Sequence, residues 1–281
     1  MKEYYFLFAL AFLFTLFASI QDLKKREVAN WLNFSFIAFV LSYRAFYSLA
    51  TKNLQFFLLG ILGFAIFFIF AHALYYAKAF AGGDAKLLMG FGIILPYTTY
   101  KSLLIISPIF LFVLFLVGAI YSLLYSIIIV TKNKQKFKKE LLSYFKKYKF
   151  TLTTSAILFI VFLFITFINP LLIPLTILFL IPLIYVYTKS LENCMIKLYN
   201  YNKLTEGDWL ERNVKLSSSI TLKKTVHGLS KKDIKLLKKY KRNVLIKEGI
   251  PFIPAFFITL IIMVFFFLTS LSLPSPLSFL S

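Results

Sequence analysis

Two of the eleven acidic residues fall where a carboxylate is hardest to keep. Asp22 closes the apolar run from Tyr4 to Ile20, and Asp84 opens another apolar segment directly after Ala81-Gly82-Gly83. The rest lie in polar stretches (Glu140, Glu192, Glu206, Asp208, Glu211, Asp233) or at helix margins (Glu3, Glu27, Glu248). A carboxylate at membrane depth costs on the order of 2.5–3.5 kcal/mol on insertion scales, so it persists for chemistry or for pairing with a cation. Two at one depth suit peptide hydrolysis. The ionised one takes a proton from water, while its protonated partner polarises the scissile carbonyl. Like charges in one site resist joint ionisation, so such a pair holds a single proton between them. Helix position suggests Asp84 at a helix N-terminus as the base and Asp22 at a helix C-terminus as the acid, although the Lys24 to Arg26 cluster opposes that split. Gly82 and Gly83 would let the backbone turn tightly and approach another group closely. Plainer readings stand beside these: Asp22 pairs with Lys24, Lys25 or Arg26 at the interface, and Asp84 is a helix N-cap.

The elements that must position this pair are read from hydropathy. The chain has 281 residues, 60% of them hydrophobic, with apolar runs that recur from Tyr4 to Leu271. Such runs predict helices at about 4–21, 31–50, 54–78, 84–96, 102–130, 151–168, 171–189 and 250–271. The fold class is therefore an all-α polytopic membrane protein of about eight membrane helices with a small cytoplasmic α/β insert. The first run is expected to remain as a helix rather than to be cleaved as a signal peptide. The fourth helix is short: thirteen residues rise only about 20 Å against a hydrocarbon slab of about 30 Å. The expected organisation is a membrane domain over 1–189 with both aspartates, a basic cytoplasmic domain over 190–249, and a C-terminal membrane helix over 250–281. Within the insert, Ser230 and Asp233 fit a capping box that starts a helix at Lys231 running to about Lys241. Alternating stretches near Arg212 to Leu216 and Asn243 to Lys247 read as strands.

Charge sets the orientation. With the end of helix 1 in the cytoplasm, alternation places 28 of the 32 Lys and Arg inside, leaving Lys2, Arg44, Lys52 and Lys101 elsewhere. Both termini are then outside, and Asp22 and Asp84 share the cytoplasmic edge of the bilayer. The net charge of +21 is accounted for by these loops, so no nucleic-acid partner is expected. The single cysteine, Cys194, excludes an intramolecular disulfide or a paired-cysteine zinc knuckle. His72 and His227 are too few and too isolated for a zinc peptidase or a serine–histidine enzyme. His72 reads as a packed core residue of helix 3 and His227 as an exposed loop residue. Neither a metal nor another cofactor is expected.

Around the two aspartates the sequence resembles the type IV prepilin peptidases, specifically the archaeal preflagellin (prearchaellin) and prepilin peptidase branch of the GxGD-type membrane aspartic peptidases. That family carries Asp-x-Arg-x-x-x-Ile-Pro-Asn after its first helix, matched by Asp22-Leu23-Lys24-Lys25-Arg26-Glu27-Val28-Ala29-Asn30 with Lys24 and Ala29 as departures. Its Gly-x-Gly-Asp motif followed by Lys-Leu is matched from Ala81 to Leu87, with Ala81 in place of the first glycine. A third match, Gly249 to Ala255, is similar to the Ile-Pro-Phe-x-Pro segment opening a late helix. The resemblance implies Asp22 and Asp84 as catalytic residues. It also implies a substrate that is a pilin-like or archaellin precursor with a basic leader, cut on the cytoplasmic side. The paired-cysteine motifs of bacterial members are missing, which implies cleavage without N-methylation. Asn30, Lys86, Pro251 and Pro254 are candidates for shaping the substrate groove. Their plainer readings are loop turns, a snorkelling lysine and helix-start prolines.

Two rival readings use the same residues. Presenilin-like and signal-peptide-peptidase-like proteases also pair two membrane aspartates, but they typically carry Tyr-Asp at the first site, where this chain has Gln21-Asp22. A proton-coupled transporter could use the pair as a relay. Such relays usually lie near the midplane in pseudo-symmetric halves, and no internal repeat is visible here. An inactive membrane scaffold is the third class, favoured if the pair proved dispensable.

Overall fold

The computed structural model describes residues 3–217, 220–225 and 228–272. Apolar runs become helices with boundaries close to those expected: α1 Glu3–Lys25, α2 Asn30–Thr51, α3 Leu54–Tyr76, α4 Gly82–Ile94 and α5 Tyr100–Lys132. After α6 Lys134–Lys147 and α7 Lys149–Ile168 come a 3₁₀ turn at Pro170–Leu172, α8 Ile173–Leu178 and α9 Ile181–Cys194. The polar stretch carries α10 Lys231–Lys239, and α11 Ile253–Ser272 follows. Six segments are long and apolar enough to cross a membrane. They are α1, α2, α3, α5, α7 and the broken run Pro170–Cys194. The shorter apolar stretch Ile253–Thr269 and the 13-residue α4 supply the other two expected membrane helices. The chain is a polytopic, predominantly α-helical membrane protein.

It forms two compact units, one of residues 1–123 with 250–281 and one of residues 124–249. The first holds α1 to α4, the start of α5, and α11. Its core is built around α4, of which Leu87, Leu88, Phe91, Ile93 and Ile94 are all buried. Glycines let α3 and α4 meet backbone to backbone. A Cβ on Gly63 would lie 2.0 Å from the Gly92 carbonyl oxygen, and one on Gly92 would lie 2.5 Å from that of Gly63. Small residues of this kind allow close helix approach in lipid, where apolar burial alone gives little drive. α4 stops at Leu95 because Pro96 disfavours a helical conformation in the residue before it.

The fixed end of α4 rests on Arg44. Left off the cytoplasmic side by the charge count and given no role there, it is 0% exposed within α2. Its Nη1 donates to the Phe56 carbonyl at 2.6 Å and its Nη2 to the Leu95 carbonyl at 2.8 Å. The guanidinium lies over the Phe56 ring at 4.5 Å and the Tyr4 ring at 5.5 Å, a stacking that its planar, weakly hydrated cation favours. Gly60 makes room for it, since a Cβ there would sit 2.4 Å from Arg44 Cδ.

In the second unit, the run expected as one helix over 171–189 is divided. Pro174 and Pro182 stand in the first turns of α8 and α9, where a missing N–H is tolerated, and the backbone turns between them at Phe179 and Leu180. The basic connection Lys132 to Lys149, read as a loop, is the helix α6. The polar segment folds as expected: β4 Val244–Lys247 pairs antiparallel with β1 Ile196–Tyr199, and β2 Val214–Lys215 with β3 Thr221–Leu222. Ser230 and Asp233 form the anticipated capping box of α10, with the Asp233 N–H donating to Ser230 Oγ at 3.2 Å and the Ser230 N–H to Asp233 Oδ2 at 2.9 Å. Leu204, Leu210, Leu222, Leu229, Leu237, Val244 and Ile246 make its small core.

Candidate active site

Asp22 lies in the last turn of α1 and Asp84 in the first turn of α4, and both are buried, at 6% and 8% exposure. The chain leaves α1 through Arg26, which sits in the left-handed region with φ 57° while its N–H still donates to the Asp22 carbonyl at 2.8 Å. The Asp22 side chain turns away from the exposed lysines. Its Oδ2 accepts the Ile253 N–H at 2.9 Å, a contact spanning 231 positions.

The start of α11 is arranged for this contact by its prolines. Pro251 and Pro254 have no N–H, and the Ala255 N–H is already bonded to the Phe252 carbonyl at 3.0 Å. The free donors at this helix start are therefore those of Phe252 and Ile253, aimed at an anion as helix N-termini generally are. The premise that Asp22 meets only the negative end of a helix does not hold, because its carboxylate stands on the positive end of α11.

Asp84 Oδ2 accepts the Ala81 N–H at 3.0 Å, so the aspartate caps α4 from inside the first turn rather than from the N-cap position, which Ala81 holds. The two carboxylates act on each other through their charges. Gly82 and Gly83, expected as a tight turn, are the first two residues of α4, and neither has a positive φ. Gly83 packs beside Val28 in the link between α1 and α2, where a Cβ would lie 3.4 Å from the Val28 Cβ, an ordinary contact. That packing holds the two aspartate-bearing segments against each other.

Of the groove candidates, Asn30 and Lys86 are brought together, with the Lys86 ammonium donating to Asn30 Oδ1 and lying 5.6 Å from the Phe34 ring. Pro251 and Pro254 are buried beside the Asp22 contact. One residue escaped the sequence reading. Asn33 is 1% exposed and its Nδ2 donates to the Gly83 carbonyl at 3.4 Å, while its Oδ1 is buried without a partner among the described residues. Its signal was a polar side chain one helical turn after Asn30, on the face that α2 turns inward.

His72 differs from expectation: it is half-buried, with Nδ1 2.9 Å from the Phe68 carbonyl of its own helix, because it lies on the flank of α3 rather than toward α4. His227 falls outside the described residues. Among the described residues no three His, Cys, Asp or Glu side chains come together as a metal site.

Residues 9–123, which include both aspartates, match the profile of the Type IV leader peptidase family. The chain is similar to the preflagellin peptidase of Methanococcus voltae, 37% identical over 34% of this chain and 42% of the relative. It is also similar to that of Methanocaldococcus jannaschii, 30% identical over 46% of this chain and 61% of the relative, and to that of Methanococcus maripaludis, 26% identical over 41% and 54%. The chain spans about half the length of the curated relatives it matches. No solved structure matches it. The resemblance read from the motifs at Asp22 and Asp84 holds: the segment that carries them, residues 9–123, matches the Type IV leader peptidase family.

Proposed function

We propose that this chain is a membrane aspartic endopeptidase that removes the basic leader from preflagellin-like or pilin-like precursors at the cytoplasmic face, without methylating the new N-terminus. The observation that carries the reading is the burial of two interacting carboxylates, Asp22 and Asp84, each held by a backbone N–H from a helix start. Preflagellin is named for the relatives, and it is the substrate class proposed here. The excess of Lys and Arg in the loops on the aspartate side supports the cytoplasmic placement. The segment 190–249 is proposed as a small basic cytoplasmic domain.

Within this reading one amide holds each carboxylate, the Ile253 N–H on Asp22 and the Ala81 N–H on Asp84. The ionised member of the pair takes a proton from water, and the water oxygen attacks the scissile carbonyl. Its protonated partner donates to the carbonyl oxygen as it gains charge. Collapse of the tetrahedral intermediate breaks the C–N bond, and the proton taken from water passes to the leaving nitrogen. Gly83 and Asn33 fix the start of α4 during this cycle. Asn30 and Lys86 line the approach of the extended leader junction.

The test is incubation of the purified chain with a leader-bearing preflagellin precursor, followed by mass determination of the product N-terminus. Cleavage to an unmethylated N-terminus by the wild type, and by neither Asp22→Asn nor Asp84→Asn, is the expected result. Proton uptake into sealed vesicles that depends on both aspartates, with no cleavage, would make the pair a transport relay.

A further inference from the structure

Asn33 carries more hydrogen-bonding capacity than the free protein uses. It lies on α2 and is 1% exposed. Its Nδ2 faces the Gly83 carbonyl at 3.4 Å, and this contact fixes which way the carboxamide is turned. Turned over, the amide would set its own oxygen against another carbonyl oxygen, two acceptors with no proton between them. Oδ1 therefore looks away from Gly83, and among the described residues it has no donor. A buried acceptor left unpaired destabilises the fold, and a leucine here would carry no such cost. A group of this kind calls for a use.

Its surroundings indicate which use. Gly83 immediately precedes Asp84, so Asn33 stands beside the turn that carries one of the two carboxylates. On the other side, α1 and α2 run antiparallel: the Ala29 N–H donates to Gln21 Oε1 at 3.1 Å, Phe14 lies 5.4 Å from Phe36, and Phe6 lies 4.5 Å from Tyr43. In that register Asn33 falls opposite Phe17, about 7 Å along α1 from Asp22. Asn30, one turn earlier on α2, is exposed and holds Lys86 at the rim. The carboxamides of α2 thus lead from the rim inward to the aspartates. Asp22 and Asp84 are themselves enclosed, so admitting a scissile bond to them requires an opening of the same layer. A peptide admitted there brings backbone N–H groups that water no longer serves, and at membrane depth each needs an acceptor. Oδ1 is an acceptor only, so it takes an N–H and not a carbonyl.

We propose that Asn33 Oδ1 is a main-chain clamp of the candidate site, accepting one backbone N–H of the extended precursor beside the scissile bond. The clamp rests on the proteolytic reading and adds to it a recognition that grips the main chain and leaves side-chain identity free. One acceptor pairs with one N–H, so its effect is confined to a single residue of the precursor.

The test combines Asn33 variants of the full-length protein with precursor peptides in which one backbone N–H near the scissile bond, never that of the scissile bond itself, is replaced by an ester oxygen, one position per peptide. For the wild type, one ester position is expected to lower kcat/KM about tenfold, mainly through KM. Asn33→Leu, close in size and without polar atoms, should lose about as much on the all-amide peptide and nothing further at that one ester position. Ester effects at the other positions should be equal in the two proteins. Asn33→Ala gives the same comparison should the leucine variant not fold. A flat ester scan in the wild type, or an Asn33 variant that loses the same factor at every position including this one, would overturn the clamp and leave Asn33 as packing against Gly83. A wild type that cleaves no peptide, the all-amide one included, would overturn the proteolytic reading and the clamp with it.

Discussion

The Ile253 N–H donates to the Asp22 carboxylate at 2.9 Å, joining the last turn of the first helix to the first turn of the last one described. This contact makes the proline-bounded start of α11 part of the aspartate site. It also gives Asp22 a structural duty that can be separated from its chemistry. An amide oxygen can accept from Ile253 where a methyl group cannot. Asp22→Asn should therefore unfold in detergent within about 1 kcal/mol of wild type, whereas Asp22→Leu, leaving a buried N–H unpaired, should lose about 1–3 kcal/mol. Thermal or denaturant unfolding of the two variants checks this, and both should be inactive in precursor cleavage.

The glycine contact between α3 and α4 sets the packing on which Asp84 depends. A Cβ on Gly92 would meet the Gly63 carbonyl oxygen at 2.5 Å and the Phe67 Cβ at 2.8 Å. Neither is the free end of a flexible side chain. Gly92→Ala should therefore separate the helices, at a cost of about 1–3 kcal/mol, and reduce cleavage with it. Gly249→Ala, where a Cβ would meet nothing within 4 Å, is the matching control and should change neither property.

Arg44 fixes the opposite end of α4 from Asp84. Arg44→Met keeps much of the stem but removes the donors to Phe56 and Leu95 and the stacking on Phe56. The expected loss is about 2–5 kcal/mol. Arg44→Lys should recover only part of it, because one ammonium does not reproduce a planar fork that reaches two carbonyls at once. Unfolding midpoints of the three proteins, ordered wild type, lysine, methionine, test this.

Lys86 separates a groove role from a structural one. Its hydrogen bond to Asn30 joins two side chains at the edge of the site, and contacts of this kind contribute about 0–1 kcal/mol to stability. Lys86→Met should leave the unfolding midpoint nearly unchanged and raise KM for the precursor with kcat largely kept. A variant with unaltered KM would leave Lys86 as a snorkelling lysine.

The membrane helices were legible because twenty apolar residues in a row admit few other uses, and a helix satisfies every backbone group without water. The capping box at Ser230 and Asp233 was legible for the same local reason. α6 was not, since its lysines read as a solvated connection and its inward face shows only through Phe137, Glu140 and Tyr144 meeting α9. Charge counting left Arg44 off the cytoplasmic side but could not show the two carbonyls and two aromatic rings that hold it. The seat of Asp22 on α11 could not be read from spacing at all: a hydrogen bond across 231 positions leaves no periodic trace. Proline flanks at Pro251 and Pro254 marked a helix start, but not what its free amides would face. Gly82 and Gly83 were read as a turn because glycine usually signals one, whereas both are helical, neither takes a positive φ, and a Cβ on Gly83 would meet Val28 at an ordinary contact distance.

The central claim is that Asp22 and Asp84 form one electrostatic site. Isotope-edited infrared titration of the purified protein, in the wild type and in each single Asp to Asn variant, reads the two carboxyl groups separately. If the claim holds, replacing either aspartate changes the titration of the other. Each remaining carboxyl titrating as it does in the wild type would contradict it.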